Sequence, residues 1–245
     1  MYARTIIIAL VAILILASLS GCFAPSLTNF ARGNGRMTDA SFSYNGSITS
    51  IDIRNVRALL NITPEKSSEV TYTVDENVKD LIQILYQNGM LRITTRNNIS
   101  IRSDGIIFNI GADALEKITV SGNAIIRGNG TFEVDSFIMD ISGAVNAELA
   151  LNAQRVKLNS SGSTEILFSG TADKLIIEGS GAAKANTRNL IAQDVSIELS
   201  GASTIQVYAD RTLNVSISGT GSVTYWGEPV LSQSVAGTAS IKIGD

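Results

Sequence analysis

Along the second half of the chain, apolar and polar residues alternate with a period of two. Val195, Ile197 and Leu199 stand against Ser196, Glu198 and Ser200; Leu213, Val215 and Ile217 stand against Asn214, Ser216 and Ser218. That period puts successive side chains on opposite faces of an extended strand and predicts strands with one face buried. No segment shows a convincing helical period. The alternation is punctuated by Ser-Gly pairs at Ser121-Gly122, Ser142-Gly143, Ser161-Gly162, Ser180-Gly181, Ser200-Gly201 and Ser218-Gly219, with Ala236-Gly237 as a seventh copy. The glycine-to-glycine steps are 21, 19, 19, 20, 18 and 18 residues.

Apolar residues keep a fixed phase around these glycines. Four residues after each stand Ile126, Ala147, Ile166, Ala185, Ile205, Val223 and Ile241. Four residues before stand Ile118, Met139, Leu158, Ile177, Ile197 and Val215, with Gln233 breaking the series in the last copy. Each copy therefore reads as strand, Ser-Gly corner, strand and polar return loop. A unit of about 20 residues cannot bury its own apolar face and must stack on its neighbours. A parallel β-helix or a hairpin-based array would do this. Few two-residue hairpin signals separate the strands, and glycines at one phase favour coils stacked ~4.8 Å apart. Glycine allows positive φ at such a corner, and the serine hydroxyls are placed to form a ladder.

Residues 39–114 lack the Ser-Gly mark but still read as strands: Ser47–Ile53, Arg57–Ile62, Glu69–Val74, Ile82–Tyr86, Met90–Thr95 and Ile106–Ile110. Asn88-Gly89 between two of them is a hairpin signal. A coil stack needs a covered end, so this half is expected to begin and cap the stack. The expected layout is 39–114 as N-terminal strands and cap, then 115–245 as repeat with a C-terminal cap.

The first residues read as an address. Arg4 precedes the aliphatic run Ile6–Ala17, and Ser18-Leu19-Ser20-Gly21-Cys22 closes it. A basic start, a short apolar run and small residues describe a signal peptide over 1–21, and the run is too short to span a bilayer. Leu19-Ser20-Gly21-Cys22 resembles the bacterial lipobox, in which the cysteine is acylated and becomes the mature N-terminus. Cys22 is therefore the expected lipid attachment, and membrane contact through it the expected anchoring. Residues 22–38, with Pro25, Gly33 and Gly35, read as lipidated terminus and flexible tether. The implied location is the cell envelope: the outer membrane if the organism has one, otherwise the outer face of the cytoplasmic membrane.

Composition then removes whole classes of chemistry. Among 245 residues, 44% are hydrophobic, enough for a core. There is no histidine, which excludes Ser-His-Asp and Cys-His catalysis and histidine metal sites. The single cysteine excludes an intrachain disulfide. A net charge of -3 offers no basic excess for nucleic acid.

Four stretches together resemble the auto-transporter adhesin "head GIN domain" family of bacterial secreted proteins and lipoproteins. They are Glu76-Asn77-Val78 through Asn88-Gly89-Met90-Leu91-Arg92-Ile93; Thr119-Val120-Ser121-Gly122; the Ser-Gly ladder; and Gly221-Ser222-Val223-Thr224-Tyr225-Trp226-Gly227-Glu228-Pro229 with Gly237-Thr238-Ala239-Ser240-Ile241. The likeness covers roughly residues 45–243. It departs where Ala144-Val145, Ala182-Ala183 and Ala202-Ser203 replace the glycine and aspartate that often follow Ser-Gly. The resemblance implies an all-β, right-handed parallel β-helix-like solenoid of ~18–21-residue coils at the cell surface, and no catalytic residues.

Asp113, Asp135, Asp173, Asp194 and Asp210 recur before the repeat glycines, with Gln154 in the remaining copy. A coil model stacks them in one column. Stacked carboxylates suit a hard cation or acid–base work on a polysaccharide; the plainer reading is that aspartate is a favoured turn residue. Trp226 beside Tyr225 suits sugar stacking or, more plainly, a cap on the terminal coil. The chain is thus expected to be a non-catalytic, lipid-anchored display protein, adhesin-like, with no cofactor and no metal. Its partner is an unidentified envelope protein or glycan, and homo-oligomerisation is open. The rivals are a polysaccharide-acting enzyme and an accessory or sensor subunit of an envelope-stress system.

Overall fold

The computed structural model describes residues 30–103 and 105–245. The expected signal peptide and the acylation site Cys22 lie outside the described residues.

Eight strands make up the first part: β1 (Phe30–Arg32), β2 (Met37–Ser43), β3 (Ser50–Thr63), β4 (Glu69–Asp75), β5 (Ile82–Gln87), β6 (Met90–Thr95), β7 (Ser100–Arg102) and β8 (Ile107–Gly111). The repeat supplies β9 (Lys117–Ser160), β10 (Ser163–Gly179), β11 (Ala182–Leu199), β12 (Ala202–Ile217), β13 (Thr220–Trp226), β14 (Val230–Val235) and β15 (Thr238–Ile243). From β9 to β15 every pairing is parallel, and the chain winds as a β-solenoid of about 5 turns.

The fixed apolar phases become continuous ladders through the interior. Ala147, Ile166, Ala185, Ile205, Val223 and Ile241 are register partners in succession. So are Leu158, Ile177, Ile197 and Val215. All of these except Ile241 are buried in one core. Each rung leaves its apolar edge bare until the next rung covers it, which is why the unit is stable only as a stack. Phe137 and Phe168 fill the interior edge to face, their ring centroids 6.2 Å apart.

The corner glycines obey a different constraint from the expected one. Only Gly122 (φ 140°) and Gly237 (φ 148°) in this series have positive φ. At the others the reason is close approach. A Cβ on Gly143, Gly162 or Gly181 would lie 1.9, 1.8 or 2.2 Å from the carbonyl oxygen of the glycine one rung below. The corners stay hydrogen-bonded, as in Ala182 N–H to the Gly162 carbonyl at 3.1 Å and Thr220 N–H to that of Gly201 at 3.1 Å. The serine hydroxyls do not form a ladder with one another. Ser161 Oγ donates to the Ile141 carbonyl at 3.3 Å and Ser218 Oγ to that of Leu199 at 3.4 Å.

The N-terminal part caps the stack by a route that chain order does not reveal. β3 lies between later segments: Ser50–Ile53 pair with β6 on one side and β9 on the other, and Leu59–Ile62 pair with β8 and β9. A left-handed Asn55 (φ 58°) marks the bulge joining the two halves of β3. β5 folds antiparallel onto β6 through Asn88 (φ 50°) and Gly89 (φ 78°), the two positive φ values of a type I′ turn. β4 adds antiparallel to β8, and β2 antiparallel to β4.

Two boundaries differ from expectation. Residues expected in the tether are held in strands from Phe30 on, as β1 pairs with β7 and Met37–Thr38 pair with Asp75 and Val74 of β4. At the other end no cap covers the last rung among the described residues. All six residues of β14 are exposed, with Val230 at 75%. Trp226 has its ring under the Arg188 guanidinium at 4.1 Å and its Nε1 donating to the Asp245 carbonyl at 3.2 Å.

Candidate functional site: a polar groove along the coils

Outward-facing positions of one strand register build two parallel columns. The first is Asp140, Asn159, Glu178, Glu198 and Ser216. Asn159, Glu178, Glu198 and Ser216 are consecutive register partners, and Asn159 Nδ2 donates to Asp140 Oδ1 at 2.6 Å. The second column is the repeat serine itself: Ser142, Ser161, Ser180, Ser200 and Ser218. Together they line a shallow groove of about 580 Å³ running across the rungs. Period two explains it: the residues flanking each buried Leu158, Ile177 or Ile197 must point outward, and repetition aligns them.

The groove is electrostatically mixed. Lys117 Nζ pairs with Asp140 at 2.7 Å and Lys157 Nζ with Glu178 at 2.8 Å. Glu198 has no ion-pair partner among the described residues. Burial opposes ionisation of Asp140. Hydrogen bonds from Lys117 and Asn159, and the charges of Lys117 and Lys157, outweigh it and hold the carboxyl below its ordinary range. Acid catalysis needs a carboxyl kept protonated near neutral pH. The surroundings of Asp140, Asp52 and Asp194 move their carboxyls the other way. The arrangement suits hydrogen-bond recognition by carboxylates, amides and hydroxyls at one rung spacing.

The expected column of aspartates is not what the fold builds. Asp135, Gln154, Asp173 and Gln193 do stack, but carboxylate alternates with amide. Gln154 Nε2 donates to Asp135 at 3.2 Å and Gln193 Nε2 to Asp173 at 3.2 Å. Asp194 stands one position along, in register with Lys174 and Thr212. There Arg211 and Thr212 donate to it and hold its carboxyl at about 2. Asp113 sits in the link before β9, accepting from Ser47 Oγ at 3.3 Å, and Asp210 is exposed at a register shift in β12. Alternation with amides removes the like-charge repulsion of a carboxylate column and the charge density a hard cation needs. No group of three or more metal-ligating acidic or cysteine side chains occurs among the described residues.

The groove was missed in the sequence because its residues vary in type: Asp, Asn, Glu, Glu, Ser. The usable signal was position, two residues before each repeat serine.

A family profile described as "Putative auto-transporter adhesin, head GIN domain" matches residues 49–229. The chain belongs to this family. Its solved relatives share the fold across nearly their whole length. A "putative adhesin" from Bacteroides fragilis NCTC 9343 superposes with a TM-score of 0.80 at 20% identity, covering 87% of this chain and 99% of that one. A "putative adhesin" from Parabacteroides distasonis ATCC 8503 gives 0.64 at 17% identity, covering 88% and 100%. A "putative lipid binding protein" from the same organism gives 0.63 at 19% identity, covering 88% and 99%. No curated protein matches in sequence. Family and fold together are those of an adhesin-like β-solenoid, and the family's description points to the cell surface or envelope.

Proposed function

We propose that this protein is a lipid-anchored envelope protein whose solenoid displays a non-catalytic, adhesin-like recognition face, and that the groove of Asp140, Asn159, Glu178 and Glu198 beside the repeat serines receives an extended, hydroxyl-rich glycan. The observation that carries the reading is the alignment of two polar columns at ~4.8 Å steps, about the size of one sugar ring. Serine hydroxyls and amides both donate and accept, and carboxylates accept from sugar hydroxyls. The Leu19-Ser20-Gly21-Cys22 motif supports the anchor.

Two measurements test it. Cys22→Ser is expected to move the protein to the soluble fraction and to lower the mass of the mature form by its acyl groups; unchanged retention and mass would remove the anchor. A pull-down of envelope polysaccharide is expected to succeed with the parent and fail with Glu178→Gln/Glu198→Gln/Ser180→Ala. Equal capture by both would remove the groove from recognition.

A further inference from the structure

A second groove lies at the capped end, and its chemistry is opposite. Arg32 of β1 and Arg102 of β7 are direct register partners on neighbouring parallel strands. Like charges in that position repel, yet the fold places them side by side. Arg57, from the bulge of β3, lines the same cavity of about 750 Å³ together with Asn55, Ser100 and Asn123. Among the described residues no carboxylate lines it. None of the three arginines forms an ion pair among the described residues, whereas Arg36, Arg54 and Arg92 nearby are each matched to Glu76 or Asp52. The Arg102 guanidinium is held over the Phe30 ring, 4.5 Å from its centroid. The buried Asp75 faces the adjoining pocket and is engaged by Ser103 Oγ and the Gly35 N–H, both at 2.5 Å.

Three unmatched guanidiniums around one cavity, with amide and hydroxyl donors between them, form a site for a phosphate-bearing anion. Guanidinium presents a planar fork that matches phosphate oxygens. Location selects the source. Seven of the 12 arginines lie between Arg32 and Arg102. Because Phe30 is already paired in β1, only seven residues lie between it and Cys22, eight Cα steps with a reach of at most about 28 Å. An acyl chain on Cys22 would hold this end, and no other, against the bilayer. We infer that the Arg32–Arg57–Arg102 groove binds the anionic headgroup of a membrane phospholipid and so seats the solenoid base-down on the bilayer. This rests on the anchored reading above, and it adds an orientation: the groove of Asp140 and Glu198 is carried upward, away from the lipid.

The test uses the mature chain, residues 22–245, carrying Cys22→Ser, so that neither acylation nor the apolar Ile6–Ala17 run masks the weaker contact. It is sedimented with vesicles of phosphatidylcholine alone or with added phosphatidylglycerol. Binding is expected only to the anionic vesicles, and to weaken with salt. Arg32→Gln/Arg57→Gln/Arg102→Gln is expected to lower it at least about tenfold, at roughly fivefold per basic residue near an anionic surface. Arg127→Gln/Arg155→Gln/Lys184→Gln, which removes the same charge from the repeat, is expected to change it little. Unaltered melting of both variants secures the comparison. Equal binding to the two vesicle types, or equal loss in both variants, would overturn the inference. So would full displacement by inorganic phosphate at matched ionic strength, which would reassign the groove to a soluble anion. Failure of the anchor is read separately, from the mass and fractionation of the parent.

Discussion

Replacing Gly162 by alanine tests the claim that the corners are governed by rung-to-rung contact. The new Cβ would lie 1.8 Å from the Gly143 carbonyl oxygen, against a real minimum near 3.0 Å, so the two corners must separate by about 1.2 Å. The atom it meets is backbone and cannot swing aside. Two corner hydrogen bonds flank the site, Ser161 N–H to the Ile141 carbonyl at 2.9 Å and Ala182 N–H to the Gly162 carbonyl at 3.1 Å. Stretching both costs roughly 1 kcal/mol each, and loosening the packing beneath raises the total to about 2–4 kcal/mol. For a domain of this size that lowers the melting temperature by about 5–15 °C. Gly221→Ala is the matched control. Its Cβ would meet nothing closer than 3.5 Å and its φ is not positive, so loss of chain entropy in the unfolded state should leave stability unchanged or raise it by up to about 1 kcal/mol. Thermal unfolding by circular dichroism reads both. If Gly162→Ala melts with the parent, or if Gly221→Ala falls as far, carbonyl contact is not what selects glycine.

Ile197→Asp puts a carboxylate in the middle of the ladder between Ile177 and Val215, at a fully buried position, and should cost several kcal/mol; melting equal to the parent would mean this face is not core. Asp52 gives a pH signature. Burial raises its pKa, but hydrogen bonds from Arg54 and Arg92 and their charges lower it further, so the net shift is downward. A depressed folded pKa adds stability above the unfolded value near ~3.9 that is lost as pH falls through the folded value. Asp52→Asn should therefore be less stable than the parent at neutral pH by about 1–2 kcal/mol and converge with it in acid, as pH falls through the depressed folded value, in urea titrations run from neutral pH into acid; a constant gap at all pH would refute the assignment.

Much of the core was readable beforehand because its cause is local. Alternation in Val195–Leu199 decides which side chains face inward whatever surrounds them, and repetition at a fixed distance from each glycine then aligns Ile166 with Ala185 and Ile205. Asn88-Gly89 was readable for the same reason, since two adjacent residues that tolerate positive φ suffice to close a hairpin. The aspartate column failed because the aspartates do not share one phase, and a strand register admits only one. Asp135, Gln154, Asp173 and Gln193 each stand eight residues before their glycine, whereas Asp194 stands seven before and Asp210 nine, so Gln193 and not Asp194 comes opposite Asp173.

The sequence by itself determined the strand period, the buried ladders, the repeat and the class of fold, because each follows from side-chain patterning within one rung. Only the tertiary structure decided that β3 lies between β6, β8 and β9, that Phe30 pairs with Ser100, and that Arg32, Arg57 and Arg102 share a cavity. Those contacts join residues tens of positions apart. They depend on how rungs meet, and no pattern inside a single rung encodes that.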